Sequence, residues 1–397
     1  MKYWAGYLTA LILGVITWAL GQLAERYTVL VDMVYPYVDR TIQDALAAWS
    51  GSVEFCLWQL AVLLIIIVAI AALVLIITLH WNPVRLVGWV AAGISLLVLL
   101  HTVVYGLNYH AGSIADDIRM DVYDYTVDEM VDAAEYYRDQ ANALAVRMNR
   151  DENGDLVYSE FEALASQAGS GFQSLVRDRS FSVFAGTTLP VKKLGWSKIY
   201  TAMGITGITV GLTGEAAVNP DIPAVSIPFT MCHEMAHRMC IATEGDANFA
   251  AFLAASANES LEFQYSAYYM AYRYCYLALK NADTYDAVAA ADAISAGVCA
   301  ELQHDLDAYS NFFKKHRDET ATRLANTAND TYLKASGDEK GLNSYGSVSD
   351  LLVSWHYQEV VLPTMIEEEV VFDPKDEAQV DLTTSQVPPE TQEAAGE

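Results

Sequence analysis

The residues best suited to chemistry are His233-Glu234-Met235-Ala236-His237. On a helix, positions i and i+4 share a face, so both imidazoles can hold one Zn²⁺. The glutamate beside the first histidine can orient a water and take its proton. This is the residue set of metal-assisted hydrolysis, with Glu234 as general base. The preceding Pro228-Phe229-Thr230-Met231-Cys232 is largely apolar and reads as a buried helix. His and Glu are costly there unless they bind something. The plain alternative, a surface helix whose charges pair, fits that flank poorly.

Zinc needs a third protein ligand and an open position. Glu244 lies seven residues after His237. In one unbroken helix it would sit about 10 Å further along the axis, out of reach of the same ion. The chain must therefore turn between Arg238 and Thr243. Thr243-Glu244-Gly245-Asp246 supports a fresh start, with Thr243 capping a new helix and Asp246 as its cap partner. That leaves Glu244 for the metal and Asn248, one turn on, to orient a ligand. Asp246 itself is the alternative ligand, and the distant Glu259 and Glu262 are further competitors. Cys232 and Cys240 flank the motif. Cys232 has the wrong helical spacing to share the histidines' face, and both thiols read as core.

A hydrolytic site also profits from a donor to the developing oxyanion. Tyr332, Tyr345 and His356 are candidates, although with 24 tyrosines in the chain packing is the commoner role. Residues 205–212 (ITGITVGL) are β-branched and glycine-punctuated and read as a strand. It is either an ordinary core strand or an edge that an extended substrate joins by main-chain pairing. Asn149 to Glu160 matches a calcium loop, with Gly154 at its sixth position and Glu160 at its twelfth. Its first position is Asn and no second loop accompanies it, so a helix–turn–helix with a glycine turn is the competing reading.

The elements that must position these residues follow from composition. The 397 residues are 53% hydrophobic and only 18% charged, which excludes a disordered chain and argues against a wholly soluble one. Three apolar stretches are long enough to cross a bilayer, at about 3–20, 60–79 and 86–105. The first follows Lys2. It reads as an uncleaved anchor, because Ala19-Leu20-Gly21-Gln22 is a weak match to a signal-peptide cleavage site. Gln59 and His101 sit near span ends, where a polar group can reach the interface. Residues 1–107 are thus expected to be a three-helix membrane anchor with a long first loop. Lys2 and Arg85 would face the cytoplasm and the remainder the opposite side.

Residues 108–374 are expected to be one mostly helical domain, and 375–397 a disordered acidic tail. Asp128 to Met148 carries Met130, Ala133, Ala134, Tyr137, Ala141, Leu144 and Ala145 on one face. The chain's net charge is −27, of which residues 111–397 hold −26. Such a surface repels phosphate backbones and excludes nucleic acid as a natural partner. Five cysteines without a CxxC pair do not suggest a disulfide framework.

With these motifs in view, the chain resembles the domain of unknown function 3810 family, membrane-anchored proteins with a zincin-like HExxH. The resemblance lies in Leu189-Pro190-Val191-Lys192, in Gly211-Leu212-Thr213-Gly214-Glu215-Ala216-Ala217-Val218-Asn219 and in Ile227-Pro228-Phe229-Thr230 leading to His233. It continues through Glu244-Gly245-Asp246-Ala247-Asn248-Phe249 and Tyr265-Ser266-Ala267-Tyr268, and closes with Asn329-Asp330-Thr331-Tyr332-Leu333-Lys334 and Ser344-Tyr345. Glu244-x-x-Ala247-Asn248 also looks like the ExxAD ligand signature of membrane gluzincins, with Asn in place of Asp. Family members usually carry Gly three residues after the second histidine, where this chain has Cys240.

The resemblance implies a mainly α chain: three transmembrane helices, then a zincin-like α+β domain with a short sheet. It implies a zinc metallopeptidase with one zinc ion and no established substrate; a peptide or protein substrate is the expectation, and the three spans make the chain a multi-pass protein of the cell membrane. The different-class alternative is a non-catalytic zinc-binding membrane protein, a sensor or assembly factor. The intact Glu234 favours the enzyme.

Overall fold

The computed structural model describes residues 4–79, 82–338 and 347–365. It divides into two compact units, Met1–Trp355 and His356–Glu397. Of the second unit, residues 356–365 are described and are helical. Tyr345 and the 375–397 tail lie outside the described residues.

Among the described residues, three helices are long and apolar enough to cross a membrane: α1 (Ala5–Arg26), α3 (Leu57–Leu79) and α4 (Pro83–Val104). They overlap the three expected stretches, with ends displaced by a few residues. α1 and α4 pack side by side in the same direction, because Gly6 lies against Gly88 near the start of both. A Cβ on Gly88 would come within 2.8 Å of the Tyr7 ring, so this approach needs the small residue.

The expected long first loop is instead a helix, α2 (Thr28–Ser50). Its charged residues made it read as a solvated connection. In the fold Asp39 and Arg40 are buried against the rest of the protein, and its apolar residues face outward.

After a short α5 (Ile114–Asp117) comes α6 (Val127–Ala145), opened by a capping box between Thr126 and Glu129. Its seven buried residues are the apolar face legible in the sequence. α7 (Phe161–Arg179), α8 (Ser197–Met203) and a three-stranded sheet follow. The strands are β1 (Lys192–Lys193), β2 (Gly207–Val210) and β3 (Glu215–Val218), in the order β1-β3-β2. β3 pairs parallel with β1 and antiparallel with β2, with Thr209 opposite Ala216. The 205–212 segment therefore forms an edge strand.

α9 (Ile227–Arg238), α10 (Glu244–Ser256) and α11 (Leu261–Lys280) complete the centre. α10 is buried nearly all round, from Ala247 to Ala255. Tyr137, Phe172, Phe263 and Tyr265 are fully buried, as is Phe249 on α10 itself. Each such side chain contributes about 1.5–3 kcal/mol of burial. α12 (Tyr285–Ser295), α13 (Ala300–His316) and α14 (Glu319–Ser336) wrap the outside, and α15 is Ser347–His356.

The sheet is fastened to the start of a membrane helix. The buried Glu215 carboxylate accepts the backbone N–H groups of Leu57 (2.7 Å) and Trp58 (3.0 Å) at the N-terminus of α3. Lys192 neutralises it at 2.6 Å. Gln59 completes the join by bonding both the N–H and C=O of Gly195 at 3.0 Å.

Candidate metal centre

α9 carries the HExxH residues into the protein on a helix that opens with Ile227-Pro228 and packs against β2 and β3. His233 and His237, one turn apart, point their Nε2 atoms at one spot, 3.1 Å from each other. α9 ends at Arg238, and the chain reverses through Cys240, whose φ of 72° is left-handed. This conformation is the one glycine adopts freely. Here Cys240 makes the turn without glycine, its thiol 3.6 Å from Asp39 Oδ2.

Thr243 then caps α10, its hydroxyl accepting the Asp246 N–H. The turn brings Glu244 back to the histidines, with Oε2 3.3 Å from His233 Nε2 and 3.7 Å from His237 Nε2. The three ligand atoms lie within 4.8 Å of one another, and no other such group forms among the described residues.

This donor set fits a zinc ion. Bonds of 2.0–2.2 Å in tetrahedral geometry separate two ligand atoms by roughly 3.3 Å, close to the spacings found. The Ile241 carbonyl lies 2.8 Å from His237 Nδ1, accepting its N–H and leaving the Nε2 lone pair for a metal. His233 Nδ1 and Glu244 Oε2 are buried without a hydrogen-bond partner. Two nitrogens and a carboxylate converging with such an orphan oxygen are what a borderline-soft divalent cation takes.

The three groups are also strongly coupled electrostatically. Burial alone would raise the Glu244 carboxyl, but the two imidazoles outweigh it and hold it well below the usual carboxylate range. Burial would lower His237, but the Glu244 carboxylate outweighs that and pushes the imidazole up to about 9. Opposite charge is thus stored at one buried point.

Glu234, 4% exposed, reaches the edge strand with its carboxylate, which still feels the charges of His233, His237 and Glu244. Thr209 Oγ1 donates to its Oε2 at 2.7 Å. A Cβ on Gly207 would overlap the carboxylate, so only glycine admits Glu234 there. Burial raises the Glu234 pKa, partly countered by His233 and His237. That makes it a better proton acceptor near neutrality.

Asn219 N–H donates to Thr206 O, so Thr206 and Asn219 form a hydrogen-bonded pair of the β2–β3 ladder. By alternation, the main-chain groups of Gly207 and Thr209 face away from β3. The residues that seat Glu234 therefore also offer the outer edge.

The remaining candidates are placed as follows. Asp246 is tied up in the cap, its carboxylate bonded by Ser113 and Thr243 at 2.8 Å each, and is not in the cluster. Glu262 bonds the Ser159 N–H, also away from it. Asn248 Oδ1 accepts from Tyr274 at 3.0 Å, with its Nδ2 buried and unpartnered. Tyr332 stands with Tyr105 and Tyr109 in an aromatic group, its hydroxyl 3.0 Å from His101 Nε2. Burial raises its phenol, and the Glu244 charge adds to that. His356 belongs to the second unit. Cys232 packs under α7 and is not in the cluster. In the 149–160 loop, Asp151 caps its own turn by accepting the N–H groups of Asn153 and Asp155, and His304 bonds Asp155. Sequence reasoning missed Gly207, Thr209, Tyr274 and the Ile241 carbonyl. The alternation of Gly207 and Thr209 along 205–212 was a usable signal for the first two.

A family model described as "Protein of unknown function (DUF3810)" matches residues 32–353. No curated protein matches, and no solved structure does.

Proposed function

The chain belongs to the DUF3810 family, and for it we propose a zinc-dependent peptidase anchored in a membrane, with Glu234 as general base. The observation that carries this reading is the convergence of His233, His237 and Glu244 beside a carboxylate that is held apart from them. A purely structural site has no use for that fourth group. When bound, zinc would polarise the scissile carbonyl and stabilise its developing negative charge. His233, His237 and Glu244 would hold the ion, and Asn248 would steady α10 beneath it.

Glu234 takes a proton from the attacking water and passes it to the departing amine nitrogen. Thr209 fixes the carboxylate on the side of the substrate. An extended peptide adds to β2 through the outward N–H and C=O groups of Gly207 and Thr209, which sets the scissile bond beside Glu234. Tyr332 is the described candidate for an oxyanion donor.

We place the catalytic unit outside the cytoplasm. α1 and α4 start at the same membrane face, Arg85 lies in the first turn of α4, and Lys2 precedes α1 in the sequence. The positive-inside bias assigns that face to the cytoplasm.

The test is metal content. Full-length protein purified in detergent is expected to hold about one zinc per chain. His233→Ala, His237→Ala and Glu244→Ala should each lower it strongly, and Asp246→Ala should not. Equal zinc in all five proteins would remove the metal site.

A further inference from the structure

α2 is amphipathic in the opposite sense to a helix on a water-soluble protein. Its charged residues Asp32, Asp39, Arg40 and Asp44 turn inward, Asp32 accepting the Gly112 N–H. Arg40 donates to the carbonyls of Met239 and Ser182, and Asp44 accepts the Thr187 N–H. Its outward face carries Val29, Leu30, Met33, Val34, Tyr37 and Val38, each at least half exposed. The stripe continues to Trp49, 61% exposed, and no charged residue interrupts it. In water such a face is a liability.

The ends of α2 define what covers it. It starts two residues after α1 ends, and Tyr35 donates to the carbonyls of Thr102 and Val103 at the end of α4. α1 and α4 run in the same direction, so both end at this membrane face. At the other end, Lys192 bonds the carbonyls of Ser50 and Phe55 and the Glu215 carboxylate that caps the start of α3. Only three residues separate the end of α3 from the start of α4, so α3 ends at the face where α4 starts and begins at the face where α4 ends. A helix of 23 residues, about 34 Å long, thus connects two points at one membrane surface.

We propose that α2 is an in-plane membrane helix whose Val29–Trp49 face is buried in the interfacial layer of the bilayer and seats the catalytic unit on the lipid. The apolar stripe is continuous with the lipid-exposed surface of α1, through Leu23 and Tyr27. Tyr37 and Trp49 are suited to the headgroup level. The inward face meets Met239, Cys240 and Gly211, just after the HExxH helix and the edge strand. The metal cluster therefore lies about one helix diameter, ~10 Å, from the lipid.

Full-length protein in phosphatidylcholine vesicles tests this directly. Cysteines introduced as Met33→Cys and Val38→Cys, and as Glu152→Cys in the exposed 149–156 loop, are labelled with a polarity-sensitive fluorophore. Labelling of the unsubstituted protein is subtracted. The α2 labels should be quenched by brominated lipid and be several-fold less sensitive to aqueous iodide than the residue-152 label. Iodide quenching equal to that at residue 152 would overturn the proposal. So would disulfide-linked dimers through residue 33 or 38 without bromolipid quenching, which would make the face a contact between two copies of the chain.

Discussion

Glu234 and Gly207 are in contact so close that residue 207 can carry no side chain without displacing the carboxylate. The carboxylate proposed as general base is thereby fixed by a missing Cβ on a neighbouring strand. Gly207→Ala should leave zinc content near wild type while turnover falls, by about a hundredfold for a shift of an ångström. Thr209→Ala should cost about tenfold and Thr209→Ser should restore most of it. Wild-type turnover in Gly207→Ala, measured with full zinc, would show that the strand does not position the base.

The cluster was legible in the sequence because a helix converts i, i+4 spacing into a shared face, and because Thr243 announces a new helix. The apolar face of α6 was legible for the same reason. α2 was not. Its Asp and Arg residues look solvated when counted along the chain, and only the fold shows that they turn toward Met239 and Thr187. The sheet's attachment to α3 was equally hidden, since nothing local to Glu215 reveals that it caps a helix 158 positions away.

Cys240 holds a left-handed backbone that costs a non-glycine residue roughly 1 kcal/mol. Cys240→Gly should relieve that cost and lose only a weak thiol contact to Asp39. Its unfolding midpoint is expected at or above wild type. Cys240→Val, β-branched in the same turn, should lower the midpoint and weaken zinc binding by moving the Ile241 carbonyl off His237. Denaturation in detergent with zinc titration reads both. A higher midpoint for valine than for glycine would contradict the turn geometry.

Asp39 is pushed up to about 6 by burial, partly offset by its bonds from Asn108, Cys240 and Gln43. Its folded pKa lies above the unfolded value near 4, so the folded state binds the extra proton. The resulting contribution is present at low pH and is lost as pH rises from about 4 to 6. It amounts to at most about 3 kcal/mol. Asp117, also raised to about 6 by burial, acts in the same direction. Asp39→Asn should therefore flatten the fall in thermal midpoint between pH 4.5 and 7. An unchanged slope would show that Asp39 is not the group responsible.

If the metal cluster sits ~10 Å above the lipid, a scissile bond close to the bilayer is presented better than one in solution. A cleavable peptide placed a few residues beyond a transmembrane anchor should be cut at least tenfold faster, at equal bulk concentration, than the same peptide free. Equal rates for the two would detach the site from the membrane surface while leaving the peptidase reading intact. A reporter fused after residue 374 should be found on the extracytoplasmic side, and a cytoplasmic reporter would reverse the orientation.

The most direct measurement of the central claim is turnover and zinc content in Glu234→Gln. The substitution preserves shape and removes basicity without touching His233, His237 or Glu244. Zinc per chain and thermal midpoint should stay near wild type, and cleavage of any peptide the wild type cuts should fall by about a hundredfold or more. Undiminished cleavage by the zinc-loaded variant would contradict the assignment of Glu234. Absence of any cleavage by the zinc-loaded wild type across a peptide library, free and membrane-tethered, would contradict the peptidase itself.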